Sequence, residues 1–330
     1  MTGDSAHRDG PDPAASGPRG HRTDADEAGA PPIAPTSRRR DLLSALLANR
    51  LAAVGLVVLA LVLLAAVTGD LLAPRGPTDI PSDLAERQFQ PPSLEHPFGT
   101  DNQGRDVLSR VIAGARVSIV VAVSSVGFAL VTGVGIGLVA GFYGRWVDDL
   151  LMRLSDVLFS FPPILLALAI LAILRPLGLT TEAAVVAIGV AFAPIFARIT
   201  RGSVLSVRET VYVRAARSIG AGSGRIIRRH VLPNVLAPII VQTSLSLAFA
   251  ILVEAALSFL GLGVPPPTPA WGRMLSEGRD FLTQGWWIAF FPGMAIFLTV
   301  LSFNVVGDAL RDALDPKQRS AIEARGRDAG

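Results

Sequence analysis

Residues 51–69 read LAAVGLVVLALVLLAAVTG, a run without a single charged side chain. A helix of about 20 apolar residues spans the hydrocarbon core of a bilayer, whereas a helix on the surface of a soluble protein keeps one polar face. The whole chain shares this bias, because half of its 330 residues are hydrophobic and only 17% are charged, against about 25% in an average soluble domain. The run therefore predicts a transmembrane helix, and the composition predicts that lipid covers much of the chain.

Further apolar runs follow along the chain. They occupy residues 117–143, 157–174, 183–197, 231–253 and 281–307. With residues 51–69 they predict an all-α membrane protein of six transmembrane helices, the last five forming a transport core. The run 183–197 is the shortest, and it needs its flanking residues to cross the bilayer.

The placement of arginine predicts the orientation of the spans. If the N-terminus is cytoplasmic, 17 basic residues near the membrane lie on the cytoplasmic side and 8 on the other. The positive-inside rule prefers this arrangement, with both termini in the cytoplasm. The predicted organisation is a disordered tail (1–40) that is not a signal peptide, a first span (41–73), an extracytoplasmic loop (74–116), a five-helix core (117–312) that contains a cytoplasmic loop (198–234), and a cytoplasmic tail (313–330).

The sequence has no residues for several classes of chemistry. It contains no cysteine, and its sole lysine, Lys317, precedes Gln318, so it forms no phosphate-binding P-loop. It has no H-E-x-x-H and no G-x-S-x-G motif. We therefore expect no enzyme activity, no cofactor and no metal site, and any ATP hydrolysis would come from another chain.

Gly133, Gly137 and Gly141 recur at every fourth position of the second apolar run. Gly135, Gly137 and Ala140 also fit the G-x-G-x-x-A pattern of dinucleotide-binding folds, but no strand precedes them. Small residues four apart let two helices approach closely in lipid. We interpret these glycines as a packing ridge.

The cytoplasmic loop 198–234 differs from the rest of the chain because it is both basic and patterned. Ser206 and Glu209 have the spacing of a capping box, which predicts a helix starting there. Ala215 and Ala216 have minimal side chains, and Gly220 is a natural helix stop. A second predicted helix, 225–232, leads to Pro233. The pattern favours a projecting knob that docks on a partner; the alternative is a basic loop that only sets topology and contacts anionic lipid headgroups.

The same loop resembles the EAA loop of ATP-binding-cassette (ABC) importer permeases. The resemblance is carried by Tyr212-Val-Arg-Ala-Ala, Gly220 and His230-Val-Leu-Pro, with Arg214 where the family has glutamate and His230 where it has isoleucine. In that family the loop forms a coupling helix that fits a groove on the ATPase. The resemblance thus implies ATPase-coupling roles for the following residues: Tyr212, Ala215, Ala216, Gly220, Leu232 and Pro233.

A second motif lies in the predicted outer loop. It reads His96-Pro-Phe-Gly-Thr-Asp-x-x-Gly-Arg-Asp106 and resembles the outer-loop signature of dipeptide and oligopeptide permease C subunits, as does the segment from Glu254 to Gly263 with Trp271-Gly272. The motif residues are Gly99, Asp101, Gly104, Arg105 and Asp106. In the alternative interpretation, this cluster only caps and salt-bridges an interfacial helix.

Glu254 is the acid closest to membrane depth in the last four predicted spans. Intramembrane carboxylates are costly and often line a transport pathway. The alternative is that Glu254 reaches the outer interface or pairs with an outer arginine.

The resemblance implies a permease subunit in a prokaryotic cell membrane that forms half of a translocation pathway. Its implied partners are a homologous permease subunit, two cytoplasmic ATPases, an extracytoplasmic solute-binding protein and membrane lipid, with no nucleic acid. The implied cargo is a short peptide; nickel chelates or another small solute are alternatives. A secondary transporter is the alternative of another class, and it would show inverted repeats and charged or broken spans at the midplane.

Overall fold

A computed structural model describes Leu47 and residues 49–314. The predicted N-terminal tail and all but the first two residues of the predicted C-terminal tail lie outside the described residues. Within them, the secondary structure is helical apart from one isolated antiparallel bridge between Thr100 and Asp106. The all-α prediction is confirmed.

The helices are numbered here in chain order. They are α1 (Arg50–Leu72), α2 (Leu84–Arg87), α3 (Val107–Tyr143), α4 (Arg145–Phe159), α5 (Pro163–Leu174), α6 (Thr181–Arg208), α7 (Val211–Ser218), α8 (Ser223–Ile226), α9 (Leu232–Phe259), α10 (Trp271–Arg279) and α11 (Trp287–Leu314). A 3₁₀ turn, Arg175–Leu177, follows α5, and a π turn, Ile227–Val231, joins α8 to α9.

The transmembrane helices match the predicted spans in number but not in every boundary. In the described part of the chain, α1, α3, α6, α11 and the segment Ser223–Phe259 are each long and apolar enough to cross a bilayer. The pair α4 and α5 makes up the sixth candidate, and it is bent by 92°.

The third predicted span, 157–174, is wrong as a single straight helix. The chain breaks between Phe159 and Pro163, where Pro162 and Pro163 remove two backbone donors and fix the backbone angle φ. The wholly apolar part of this predicted span is therefore α5, which has 12 residues and a length of about 18 Å.

The fourth span, predicted to be the shortest, is a helix of 28 residues in α6. It continues past Arg198 and Arg201 because both arginines have acidic partners on α4. Arg201 binds Asp148 through two bonds of 2.5 and 2.6 Å, and Arg198 binds Asp156 at 2.8 Å.

The second span begins at Val107, ten residues before the predicted start. Asp106 caps the helix, accepting a hydrogen bond from the Ser109 backbone N–H at 2.8 Å. The 37 residues of α3 extend over about 55 Å, more than the hydrocarbon core requires. Its first ten residues fall within the segment predicted as the outer loop, 74–116.

The packing of α3 against α6 forms the centre of the bundle, and the glycine ridge makes it possible. A methyl group on Gly137 would lie 2.5 Å from the Ala197 carbonyl oxygen, and one on Gly141 would lie 2.8 Å from the Val204 Cβ atom. Real Cβ atoms do not approach so closely, so the two backbones are in direct contact. The interpretation of these glycines as a packing ridge is confirmed.

Candidate functional site

The predicted cytoplasmic loop, 198–234, includes the last turns of α6, and the predicted capping box is wrong. Ser206 lies inside α6, and Glu209 is the residue that ends this helix. The Glu209 carboxylate accepts a hydrogen bond from Arg208 at 3.1 Å instead of reaching back to a helix N-terminus. The next helix, α7, starts after Thr210, whose extended backbone redirects the chain.

Helix α7 has one buried and one exposed face. Val213 and Ala216 are buried against the bundle, whereas Tyr212 and Ala215 are exposed. The small size of Ala216 therefore serves packing within the chain, and of the two alanines only Ala215 has an exposed side chain. At the ends of the helix, the apolar side chains of Val211 and Ile219 are also exposed, at 74% and 84%.

Gly220 ends α7 in a left-handed conformation, with φ of +81°. The Gly220 N–H donates to the Arg217 carbonyl at 3.0 Å, and the Ala221 N–H donates to the Ala216 carbonyl at 3.1 Å. This pair of bonds is a Schellman motif, which satisfies the last carbonyls of the helix and turns the chain sharply. The helix stop predicted at Gly220 is confirmed.

The segment 221–231, called the return arm here, leads from α7 directly into α9. The predicted second helix, 225–232, contains the π turn Ile227–Val231, and Leu232 and Pro233 are the first residues of α9. The ring of His230 lies 6.3 Å from the ring of Tyr212, which joins the return arm to α7. The structure thus groups four predicted coupling residues on the α7 hairpin and places Leu232 and Pro233 on the helix behind it.

Three contacts outside the motif anchor the base of this loop. The two ion pairs between α4 and α6 lie on its membrane side, and the Arg208 guanidinium donates to the Gly141 carbonyl at the end of α3, at 2.7 Å. The sequence analysis missed these anchors. Their signal is the spacing of Asp148 and Asp156, eight residues apart on one face of the amphipathic helix α4.

The outer motif contains a buried ion cluster. Asp101, 1% exposed, accepts hydrogen bonds from the Arg105 side chain at 2.7 Å and from the buried guanidinium of Arg110. Glu277 of α10 accepts from the same two arginines, at 3.3 and 2.8 Å. Burial, and then the neighbouring charge of Arg110, lower the pKa of Arg105, while Asp101 and Glu277 oppose this shift.

The remaining motif residues shape the backbone around this cluster. Gly99 and Gly104 have φ of +73° and +70°. A methyl group on Gly99 would lie 2.6 Å from the Gln90 carbonyl oxygen, so the loop requires glycine there. Asp106 accepts from His96 Nδ1 at 2.8 Å as well as capping α3.

Two tryptophans join this outer loop to the helices. Trp271 Nε1 donates to the Val111 carbonyl at 2.8 Å, and Trp287 Nε1 donates to the Thr100 carbonyl at 3.0 Å. The whole outer motif thus ties the loop, α3, α10 and α11 together. This geometry favours the interpretation in which the cluster caps and salt-bridges a helix. The capped helix is α3, the second span, rather than a separate interfacial helix.

Glu254 is buried inside the helix bundle, at 3% exposure, on α9. Its Oε1 atom accepts a hydrogen bond from Ser258 at 2.6 Å, and the buried Ser118 hydroxyl of α3 neighbours the carboxylate, although Oε2 forms no close hydrogen bond in the described part of the chain. The alternative in which Glu254 reaches the interface or an outer arginine is therefore wrong for this chain. Its role in a pathway stays a prediction.

Five single apolar helices and one broken span are the architecture of a multi-pass membrane protein, and the α7 hairpin joins two of these spans. Two family models match the chain: "Binding-protein-dependent transport system inner membrane component" over residues 133–320 and "N-terminal TM domain of oligopeptide transport permease C" over residues 37–92. The chain belongs to the family of binding-protein-dependent transport permeases, and it is a permease subunit of an ABC importer. The predicted family is confirmed, and the secondary-transporter alternative is wrong.

Several curated relatives cover most of the chain. A dipeptide transport system permease protein of Alkalihalophilus pseudofirmus is 47% identical over 85% of this chain and 90% of its own length. A di/tripeptide transport system permease protein of Pseudomonas aeruginosa is 44% identical over 83% of this chain and 90% of its own length. A glutathione transport system permease protein of Escherichia coli is 46% identical over 68% of this chain and 74% of its own length.

Solved structures support the fold. An inward-facing crystal structure of the MetNI methionine ABC transporter matches with a TM-score of 0.53 and 18% identity, covering 62% of this chain and 96% of that chain. A second crystal form of the same transporter matches with a TM-score of 0.52 and 20% identity, and the match covers 63% of this chain and 97% of that chain. At this level of identity the likeness concerns the arrangement of helices only.

Proposed function

We propose that this chain forms half of the translocation pathway for short peptides and that its cytoplasmic loop transmits the state of a partner ATPase to the spans. A homologous permease subunit would supply the other half, two ATPases would dock from the cytoplasm, and a solute-binding protein would deliver cargo from outside. Both termini would be cytoplasmic. The observation that carries the coupling role is the α7 hairpin, whose outer face exposes Val211, Tyr212, Ala215 and Ile219.

The position of this hairpin suits coupling because it is rigid and connects two spans. Val213 and Ala216 hold α7 on the bundle, and the Schellman motif fixes the turn after it. Helix α6 enters the hairpin and α9 leaves it, so a push on α7 would move both spans. Coupling between two proteins requires such a contact, because nucleotide state in one must bias helix positions in the other.

Pairing with a second permease is supported by the apolar surface of the broken span. Leu165, Ile173 and Leu177 are exposed at 55%, 70% and 70%. A second bundle would cover these side chains and complete the pathway.

A peptide cargo is supported by the names of the dipeptide and di/tripeptide relatives. The test is ATP-driven uptake of a labelled dipeptide into proteoliposomes that contain the complete complex. Unlabelled tripeptides should compete, whereas a nickel chelate should not. Competition by the nickel chelate alone would show that the cargo class is wrong, and competition by glutathione alone would assign the chain to the glutathione class.

The coupling role is tested in the same assay by one matched pair of variants. Ala215→Asp places a charge on the exposed face of α7 and should abolish uptake while the complex still inserts into membranes. Ser206→Asp adds the same charge at an exposed position of α6 outside the hairpin and should leave uptake unchanged. Equal uptake by both variants would mean that α7 is not the ATPase contact.

A further inference from the structure

A basic cavity lies on the return arm, the segment that follows the α7 hairpin. It has a volume of about 470 Å³ and is lined by Gly224, Arg225, Arg228 and Arg229. The local fold explains this grouping. Ile226 and Val231 point into the bundle and are 1% and 0% exposed, so the arginines between and before them are directed outward.

The charge of these three arginines is uncompensated. In the described part of the chain, none of the three forms an ion pair, whereas Arg198, Arg201 and Arg208 just upstream each bind an acid. Three guanidinium groups around one cavity are a strong site for a phosphate group, because each offers several donors in a planar fork.

The level of the cavity relative to the bilayer also follows from the sequence. Arg225, Arg228 and Arg229 precede the apolar part of the fifth span, which starts at Val231, by two to six residues. At a rise of about 1.5 Å per residue they lie within about 10 Å of the hydrocarbon boundary, which is the depth of the headgroup layer.

An exposed apolar stripe continues from the arginines along α9. Arg229 is followed at helical spacing by Pro233, Leu236 and Ile240, and all are exposed on the chain. Leu236 and Ile240 expose 41% and 42% of their surface. A ligand that fills the cavity and also covers this stripe would need a phosphate and a hydrocarbon chain in one molecule.

We propose that Arg225, Arg228 and Arg229 bind the phosphate of an anionic phospholipid whose acyl chain lies along Leu236 and Ile240. The occupant is a lipid rather than free phosphate, because the stripe adds contact area that free phosphate cannot use. Such a lipid would stabilise the position of the return arm between the α7 hairpin and the fifth span.

The test measures the lipid that stays bound when the complete complex is released from nanodiscs containing equal amounts of phosphatidylglycerol and phosphatidylcholine. Native mass spectrometry counts the retained molecules. The wild-type complex should retain phosphatidylglycerol preferentially. In Arg225→Gln/Arg228→Gln the preference should fall by about fivefold for each arginine removed, since each base near an anionic surface contributes about 1 kcal/mol. All of these positions are exposed, so the variants should fold normally, as checked by thermal melting.

The matched control is Arg145→Gln/Arg153→Gln, which removes the same charge from exposed positions of α4 outside the cavity. It should keep the preference for phosphatidylglycerol, and an equal loss in both double variants would overturn the proposal in favour of a general charge effect. Loss of the preference on adding inorganic phosphate would identify a free-phosphate site instead. A cavity variant that loses its ATPase subunits but retains wild-type lipid would show that the arginines bind the ATPase.

Discussion

Arg110 is the residue on which the outer cluster depends most. Its guanidinium is 2% exposed and binds both Asp101 and Glu277. Removing one member of a buried ion pair leaves its partners charged and unpaired, which costs about 3–5 kcal/mol. Arg110→Gln should therefore lower the midpoint of thermal inactivation strongly and reduce the amount of protein in the membrane.

The matched control for this prediction is Arg87→Gln. Arg87 also binds an acid, Asp83, at 2.8 Å, but both side chains are exposed to solvent. Exposed pairs contribute little, so this variant should melt like the wild type. The buried cluster would be dispensable for the fold if both variants melted together.

Glu254 makes a second prediction at the scale of one residue. Its carboxylate is buried with one oxygen unpartnered in the described chain, although a buried polar atom usually has a partner. We expect the missing partner to come from cargo, water or the second permease during transport. Glu254→Gln should lower uptake while membrane insertion stays normal, as measured by transport and quantitative blotting. Wild-type uptake by this variant would count against the pathway role.

The contact between α3 and α6 gives a prediction at the scale of two elements. Gly137 and Gly135 lie on the same helix, yet a methyl group on Gly137 would collide with Ala197, whereas one on Gly135 would meet nothing within 4 Å. Overpacking a tight contact costs about 1–3 kcal/mol. Gly137→Ala should lower thermal stability by an amount in this range, and Gly135→Ala should leave it unchanged or slightly raise it. Similar melting of both variants would contradict the proposed packing ridge.

The elements also show what could be predicted from the sequence. Long apolar runs, the glycine ridge and the Gly220 stop depend on local composition and backbone freedom, so they were visible in the sequence. The length of α6 was not visible, because its last turns are charged and their acidic partners, Asp148 and Asp156, lie on another helix. Ser206 and Glu209 resembled a helix start, although Ser206 lies inside α6 and Glu209 is the residue that ends it.

In the candidate site, too, some features were visible in the sequence and others depend on contacts between distant residues. The resemblance located the cytoplasmic loop and the outer motif, but it did not separate the two alanines. Only the packing of α7 shows that Ala216 faces the bundle and Ala215 faces outward. Arg105 of the outer motif and the nearby Arg110 are bound by Glu277, which lies more than 160 residues away, so this partner had no local signal.

At the scale of the whole molecule, the orientation in the membrane is a prediction that side-specific labelling can check. The chain has no cysteine, so single cysteines can be introduced without a background. Ser223→Cys, on the cytoplasmic loop, should react with an impermeant maleimide only in inverted vesicles. Leu94→Cys, at a fully exposed position of the outer loop, should react only in intact spheroplasts. Labelling of the opposite kind would reverse the orientation and remove the coupling role of the loop.

The proposal that α7 contacts the ATPase is the centre of this interpretation, and photo-cross-linking tests it most directly. A photoreactive amino acid at Ala215 in the complete complex should yield an adduct with the ATPase subunit, whereas the same residue at Leu94 should not. The adduct yield at Ala215 should also change between the nucleotide-free and ATP-bound states, since the contact reports nucleotide state. An intact complex that gives no ATPase adduct at Ala215, or one whose yield is the same in both states, would contradict coupling through this helix.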